Sequence, residues 1–163
     1  MDDELLRRLT ASRAALSELR APVEAGEPWP LAAAFGTEPE ADWGPREVLA
    51  HVAEMLPFWL GEWERVQAGS GDAPVPFGRL STDMLRIGLI GRDRTLPLRE
   101  LFGRIDDGID RWLGRLDAGF DGRRRGLHVT LGEFAADAIA ERFVVGHLEE
   151  HVGQLRDAAG RAG

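Results

Sequence analysis

"TLGEFAADAIAERFVVGHLEEHVGQLRDAAG", residues 130–160, decides the fold. Its apolar residues keep the period of an amphipathic helix to about Ala159. Thr130 and Glu133 stand in the order of a capping box, which predicts that the helix starts there. This is the strongest helix signal in the chain, and it carries His147 and His151, two of only four histidines.

Three further helices are legible on either side. Leu5, Leu6, Leu9, Leu16 and Leu19 share a face between Asp3 and about Glu24, with acids early and arginines later, as the helix dipole favours. Residues 26–42 contain Pro28, Pro30 and Pro39 and read as a loop, with a short turn around Leu31–Phe35. A second helix opens in "DWGPREVLAHVAEML", residues 42–56. Gly44 is its cap, Pro45 its first position, Pro57 a point of bending, and Gly69 its limit. From Gly69 to about Arg94, prolines and glycines predict a long connection with a short helix within Leu80–Ile90. The third long helix is expected over Pro97–Ala118, with Leu101, Ile105, Ile109, Trp112, Leu113 and Leu116 facing inward. Gly103, Gly108 and Gly114 weaken it by up to about 1 kcal/mol each unless they permit close packing.

No segment alternates like a strand. The expectation is therefore an all-α, single-domain four-helix bundle spanning residues 1–163. A connection of this length lets helix three run parallel to helix two, which gives an up-down-down-up order with a long crossover between helices 2 and 3.

Composition removes several function classes. A net charge of -8 leaves no general basic surface for nucleic-acid phosphates, and the run Arg123–Arg125 reads as a solvated loop. The opening "MDDELLRRLT" has no apolar core of signal-peptide length, and no run approaches the roughly 18 apolar residues of a membrane span. A cytoplasmic protein without membrane or nucleic-acid partners is expected. Cysteine and tyrosine are absent, and all 20 basic residues are arginine. A cysteine nucleophile, a disulfide, a Schiff-base lysine and a tyrosine acid are thus excluded. Chemistry must rest on histidine, carboxylates, arginine, serine, threonine or a bound group.

His147 and His151 are spaced i, i+4, so their Cβ atoms stand about 5–6 Å apart on one helix face. Two imidazoles so placed can reach one ion at about 2.0–2.1 Å. His51 lies near the start of helix two. With helices two and four antiparallel, all three histidines fall at one height, about 10–18 Å from the same end of the bundle. His128 precedes His147 by about 28 Å of continuous helix and is expected at the opposite end or in a loop, as a surface or capping residue.

"DWGPREVLAHVAEM" followed by "ERFVVGHLEEHVGQL" resembles the DinB-like superfamily of four-helix bundles. That group includes metal-dependent hydrolases, mycothiol-dependent maleylpyruvate isomerases and other thiol-dependent transferases. The resemblance rests on Trp43, His51, His147, His151, Gln154 and Leu155 and covers the whole helix order. It implies a divalent metal, commonly zinc or nickel, held by His51, His147 and His151 with a coordination position left open. It further implies a small-molecule substrate and, in the absence of cysteine, a low-molecular-weight thiol cosubstrate; a homodimer is expected on the same ground. The reading is a metal-dependent enzyme that transfers or adds a thiol to a small electrophile. A metal-dependent small-molecule hydrolase and a non-catalytic ligand-binding or dimerising bundle are its alternatives.

Glu54 and Glu150, one turn from His51 and His147, are the candidates for orienting an imidazole or acting as base, with solvated helix-face carboxylates as the competing reading. Trp59 and Trp63 read as core aromatics. Gly146 and Gly153 read as points of close helix approach, and Arg142 as a surface charge.

Overall fold

Leu5, Leu9, Leu16 and Leu19 bury the inner face of α1 (Asp2–Ala25) against the later helices. The computed structural model describes residues 2–33, 35–36, 39–70 and 72–162. The other long helices are α2 (Pro45–Gln67), α4 (Leu98–Asp117) and α6 (Gly146–Ala162). α2 has Pro45 at its first turn and runs through Pro57 without ending. A short α3 (Met84–Asp93) is capped by Asp83, whose side chain accepts from the Arg86 backbone N–H at 2.8 Å.

Contacts along the helices set their directions. Arg46 donates to the Leu96 carbonyl, Leu56 meets Gly108, and Glu64 pairs with Arg115, so α2 and α4 are parallel. Arg13 pairs with Asp110 while Arg20 lies over Phe102, so α1 and α4 are antiparallel. Trp63 near the end of α2 donates to the Ala136 carbonyl at 3.0 Å, whereas His51 near its start meets His147. The last helical stretch is thus antiparallel to α2. Gly108 is the one glycine of α4 used for close approach, because a Cβ there would sit 2.9 Å from that of Leu56. Gly103 and Gly114 have nothing within 4 Å of such a Cβ. Gly103→Ala is therefore expected to stabilise the protein by up to about 1 kcal/mol, and Gly108→Ala to destabilise it, in paired urea titrations.

The fold is mainly helical but not all-α. A three-stranded sheet in the order β1-β2-β3 covers one end, built from β1 (Val75–Phe77), β2 (Arg125–His128) and β3 (Gly132–Ala135). β1 pairs parallel with β2, Phe77 opposite His128, and β2 pairs antiparallel with β3, His128 opposite Gly132. Gly132 has φ +91°, the left-handed conformation the hairpin turn needs. Glu133 is therefore a strand residue and the expected capping box does not form. The helix begins instead as α5 (Ala136–Ala140). Arg125, expected in a loop, belongs to β2 and pairs with Glu133 across the hairpin.

Between α5 and α6, residues Glu141–Val145 form a π-helical turn, in which the Gly146 N–H reaches the Glu141 carbonyl five residues back. Phe143, Val144 and Val145 are consecutively buried there. Gly146 serves this turn, since a Cβ would stand 3.2 Å from the Glu141 carbonyl oxygen. A Cβ there would also come within 3.9 Å of the Arg8 guanidinium on α1, whereas one at Gly153 would meet nothing within 4 Å. Among the described residues no helix is long and apolar enough to cross a membrane.

Candidate metal centre

His51, His147 and His151 come together, joined by a residue outside the regular pattern, Glu40. It lies in a single 3-10 turn (Glu40–Asp42) just ahead of α2. One donor atom from each of the four falls within 4.8 Å of the others. Glu40 Oε2 lies 3.2 Å from His147 Nε2 and 3.7 Å from the Nε2 atoms of both His51 and His151. The His51 and His147 Nε2 atoms are 3.4 Å apart. Ligands about 2.0–2.1 Å from a tetrahedral zinc stand about 3.3–3.4 Å from one another, so the donor set fits such an ion. His151 Nε2 is buried without a hydrogen-bond partner, as expected of an atom whose lone pair is kept for a ligand.

Neighbouring side chains orient this set. Gln154, one turn beyond His151, places its Oε1 3.1 Å from His151 Nδ1. Its Nε2 donates to the carbonyls of Glu40 at 2.8 Å and Trp43 at 3.1 Å. One amide thus directs His151 Nε2 inward and ties the segment bearing Glu40 to α6. Buried Arg86 pairs with the other oxygen of Glu40 and also donates to the Ser81 carbonyl. Glu54 Oε2 stands 3.7 Å from His51 Nδ1, and Arg79 holds that carboxylate at 2.7 Å. The Trp43 ring meets His51 edge-on at 5.6 Å.

Burial dominates the electrostatics. It drives His51 well below the ordinary 6.5, and drives His151 to about 4 with help from His147. Burial works to raise Glu40, but the His147 hydrogen bond and Arg86 outweigh it and leave that carboxyl lowered. Burial raises Glu54, with Arg79 opposing. His128 is also lowered, again mainly by burial. A histidine whose folded value is depressed binds fewer protons than in the unfolded chain, so stability is full above about pH 6.5 and is lost as pH falls. In EDTA the wild type is expected to lose on the order of 2 kcal/mol between pH 7 and 5 from His151 alone. Urea titrations at the two pH values check this, and His151→Gln should flatten the difference.

Glu54 lies beside the cluster as a carboxylate behind His51. Glu150 is exposed and does not join it. His128 was placed too far away by assuming one continuous helix. The hairpin folds it back, and the ring is 6% exposed and lines the cavity next to His51 and His147. Trp63 is a core residue as read, whereas Trp59 also lines that cavity. Glu40, Arg79 and Arg86 were missed. The only signal for Glu40 was an acid three residues before Trp43, in a loop with no periodicity to place it.

Because the carboxamide fixes the ring orientation and tautomer of His151, Gln154→Ala is expected to weaken zinc binding about 10–100-fold. Competition against a chromophoric chelator measures it, and an unchanged affinity would separate Gln154 from the site. Set against protein-family models, curated proteins and solved structures, the chain matches none.

Proposed function

We propose that this is a divalent-metal-dependent enzyme of the DinB-like superfamily, a single-domain four-helix bundle with a sheet added at one end. It transfers or adds a low-molecular-weight thiol to a small electrophile in the cytoplasm. The observation that carries the reading is the convergence of three imidazoles and one carboxylate beside a cavity of about 300 Å³. His51, His147 and His151 hold the metal, zinc or nickel, with Glu40 within reach as a fourth donor. The edge-on Trp43 and the Gln154 bridge support taking these residues as one working unit.

A bound cation there supplies Lewis acidity, lowering the pKa of a thiol or water. The protein's own charges favour an anionic partner for it. Arg86 neutralises Glu40 and Arg79 neutralises Glu54, while burial keeps His51 and His151 uncharged. Two positive charges of a divalent ion would then be left for a thiolate to balance. Glu40 favours one rival reading, a closed four-ligand structural centre.

Cobalt(II) substitution separates the two. A d–d spectrum that shifts on adding mycothiol, bacillithiol or glutathione, with a thiolate charge-transfer band, supports the transferase reading. A tetrahedral spectrum indifferent to every thiol overturns it in favour of the structural centre.

A further inference from the structure

His128 is the one imidazole outside the donor cluster, and its environment is specific. Its Nδ1 accepts from the backbone N–H groups of Thr130 at 3.2 Å and Leu131 at 3.3 Å. An acceptor nitrogen carries no proton, so in the neutral ring the proton is on Nε2. Phe143 stacks on the ring at 5.3 Å with only 8° between planes, and Phe77 meets it edge-on at 5.3 Å. Gly78, at φ +87°, makes room, because a Cβ there would fall 2.6 Å from Nε2. The ring is thus held in place and in one tautomer. Burial lowers its pKa, which keeps it neutral at pH 7. Nε2–H has no hydrogen-bond partner among the described residues, and the residue as a whole is only 6% exposed.

His128 lines a cavity whose apolar walls are Trp59, Phe143, Leu80 and Leu131, and whose polar walls include Ser81, Thr130 and the cluster residues His51 and His147. Its two arginines do not offer free charge. Arg79 is committed to Glu54 and Arg86 to Glu40. A carboxylate or phosphate would have to break a buried ion pair to enter, whereas a neutral oxygen acceptor meets an unused N–H. At about 300 Å³ the space suits a small molecule.

We propose that this cavity binds a small, uncharged carbonyl compound with a flat apolar body, whose oxygen accepts a hydrogen bond from His128 Nε2–H. The inference names the electrophile class for the reading above and rests on it for the reaction, but not for the binding. His128 is a binding residue that sets the carbonyl beside the metal cluster; it gives up no proton in this role.

The test uses 4-fluoroacetophenone as probe and 4-fluorobenzoate as its anionic counterpart, followed by fluorine NMR on the full chain with zinc and, separately, in EDTA. Wild type is expected to bind the ketone under both conditions and, in EDTA, to bind it in preference to the acid. His128→Phe keeps the stacking ring and removes the donor, and should bind the ketone about 3- to 10-fold more weakly. His128→Gln restores a donor near Nε2 and should recover most of that loss. Nitrogen-15 spectra of the wild-type histidines give a second readout that needs no variant. They should show His128 protonated at Nε2, with that resonance moving as the ketone binds. Equal ketone affinity in His128→Phe, tighter binding of the benzoate in EDTA, or a His128 resonance indifferent to the ketone each overturns the proposal. Ketone binding through His128 in a protein that takes up no metal would leave this inference standing and remove the metalloenzyme reading; the reverse result would do the opposite.

Discussion

Zinc at about a hundred times its dissociation constant is expected to stabilise the protein by about 2.7 kcal/mol, raising the thermal midpoint by roughly 5–10 °C for a chain of this size. The gain comes from binding the folded state alone, because His51 on α2, His147 and His151 on α6 and Glu40 ahead of α2 meet only when the helices pack. His51→Gln and His147→Gln should each remove most of the shift, and elemental mass spectrometry should find about one equivalent of metal in wild type and far less in either variant. His128→Gln, which leaves the donor set intact, should keep it. Undiminished stabilisation in His51→Gln would place the metal elsewhere, and none in wild type with either zinc or nickel would end the metalloenzyme reading.

Glu47→Ala should produce the largest loss of stability, about 3–5 kcal/mol. The Glu47 side chain is fully buried in the first turn of α2, where Oε1 accepts from the Ala32 N–H and from Arg94, each at 3.0 Å. Arg94 also donates to the Ala32 carbonyl and lies 4.6 Å over the Phe35 ring. Removing the carboxylate leaves this largely buried guanidinium without its counter-charge and releases the segment that leads to Glu40. Urea denaturation gives the cost. Replacing the pair together, Glu47→Leu with Arg94→Met, should return a substantial part of it, because the penalty lies in the unpaired charge. A loss below about 1 kcal/mol in Glu47→Ala would show that the pair is relaxed by water.

What could be read from the sequence follows from which forces are periodic. His51, His147 and His151 were found because each lies on a helical stripe, and stripes convert spacing into height. The long helices were legible for the same reason, including the parallel run of α2 and α4. Glu40 had no such coordinate: its position depends on Gln154, Arg86 and the Glu47–Arg94 pair, of which only Glu47 is near it in sequence. The hairpin escaped because its strands are four residues long, too short for alternation to show. Thr130 and Glu133 offered a plausible helix start, and the competing turn depended on one left-handed glycine, Gly132. His128 was misplaced as a direct result, and Glu150 was admitted because spacing alone does not say which carboxylate faces inward.

The wide turn at Glu141–Val145 has a further consequence for how this helix tolerates change. One extra residue there shifts the phase of everything beyond it, so the stretch from Ala136 and the stretch bearing the histidines follow two different frames on one rod. Deleting a single residue from this turn would leave length and composition almost untouched. The turn would then close as ordinary α-helix and leave His147 and His151 close to their present phase relative to Ile139 and Ala140. One residue can therefore be lost from this turn with the donor set kept in place, whereas a deletion between His147 and His151 on regular α6 would rotate one of them about 100° away from the other's face.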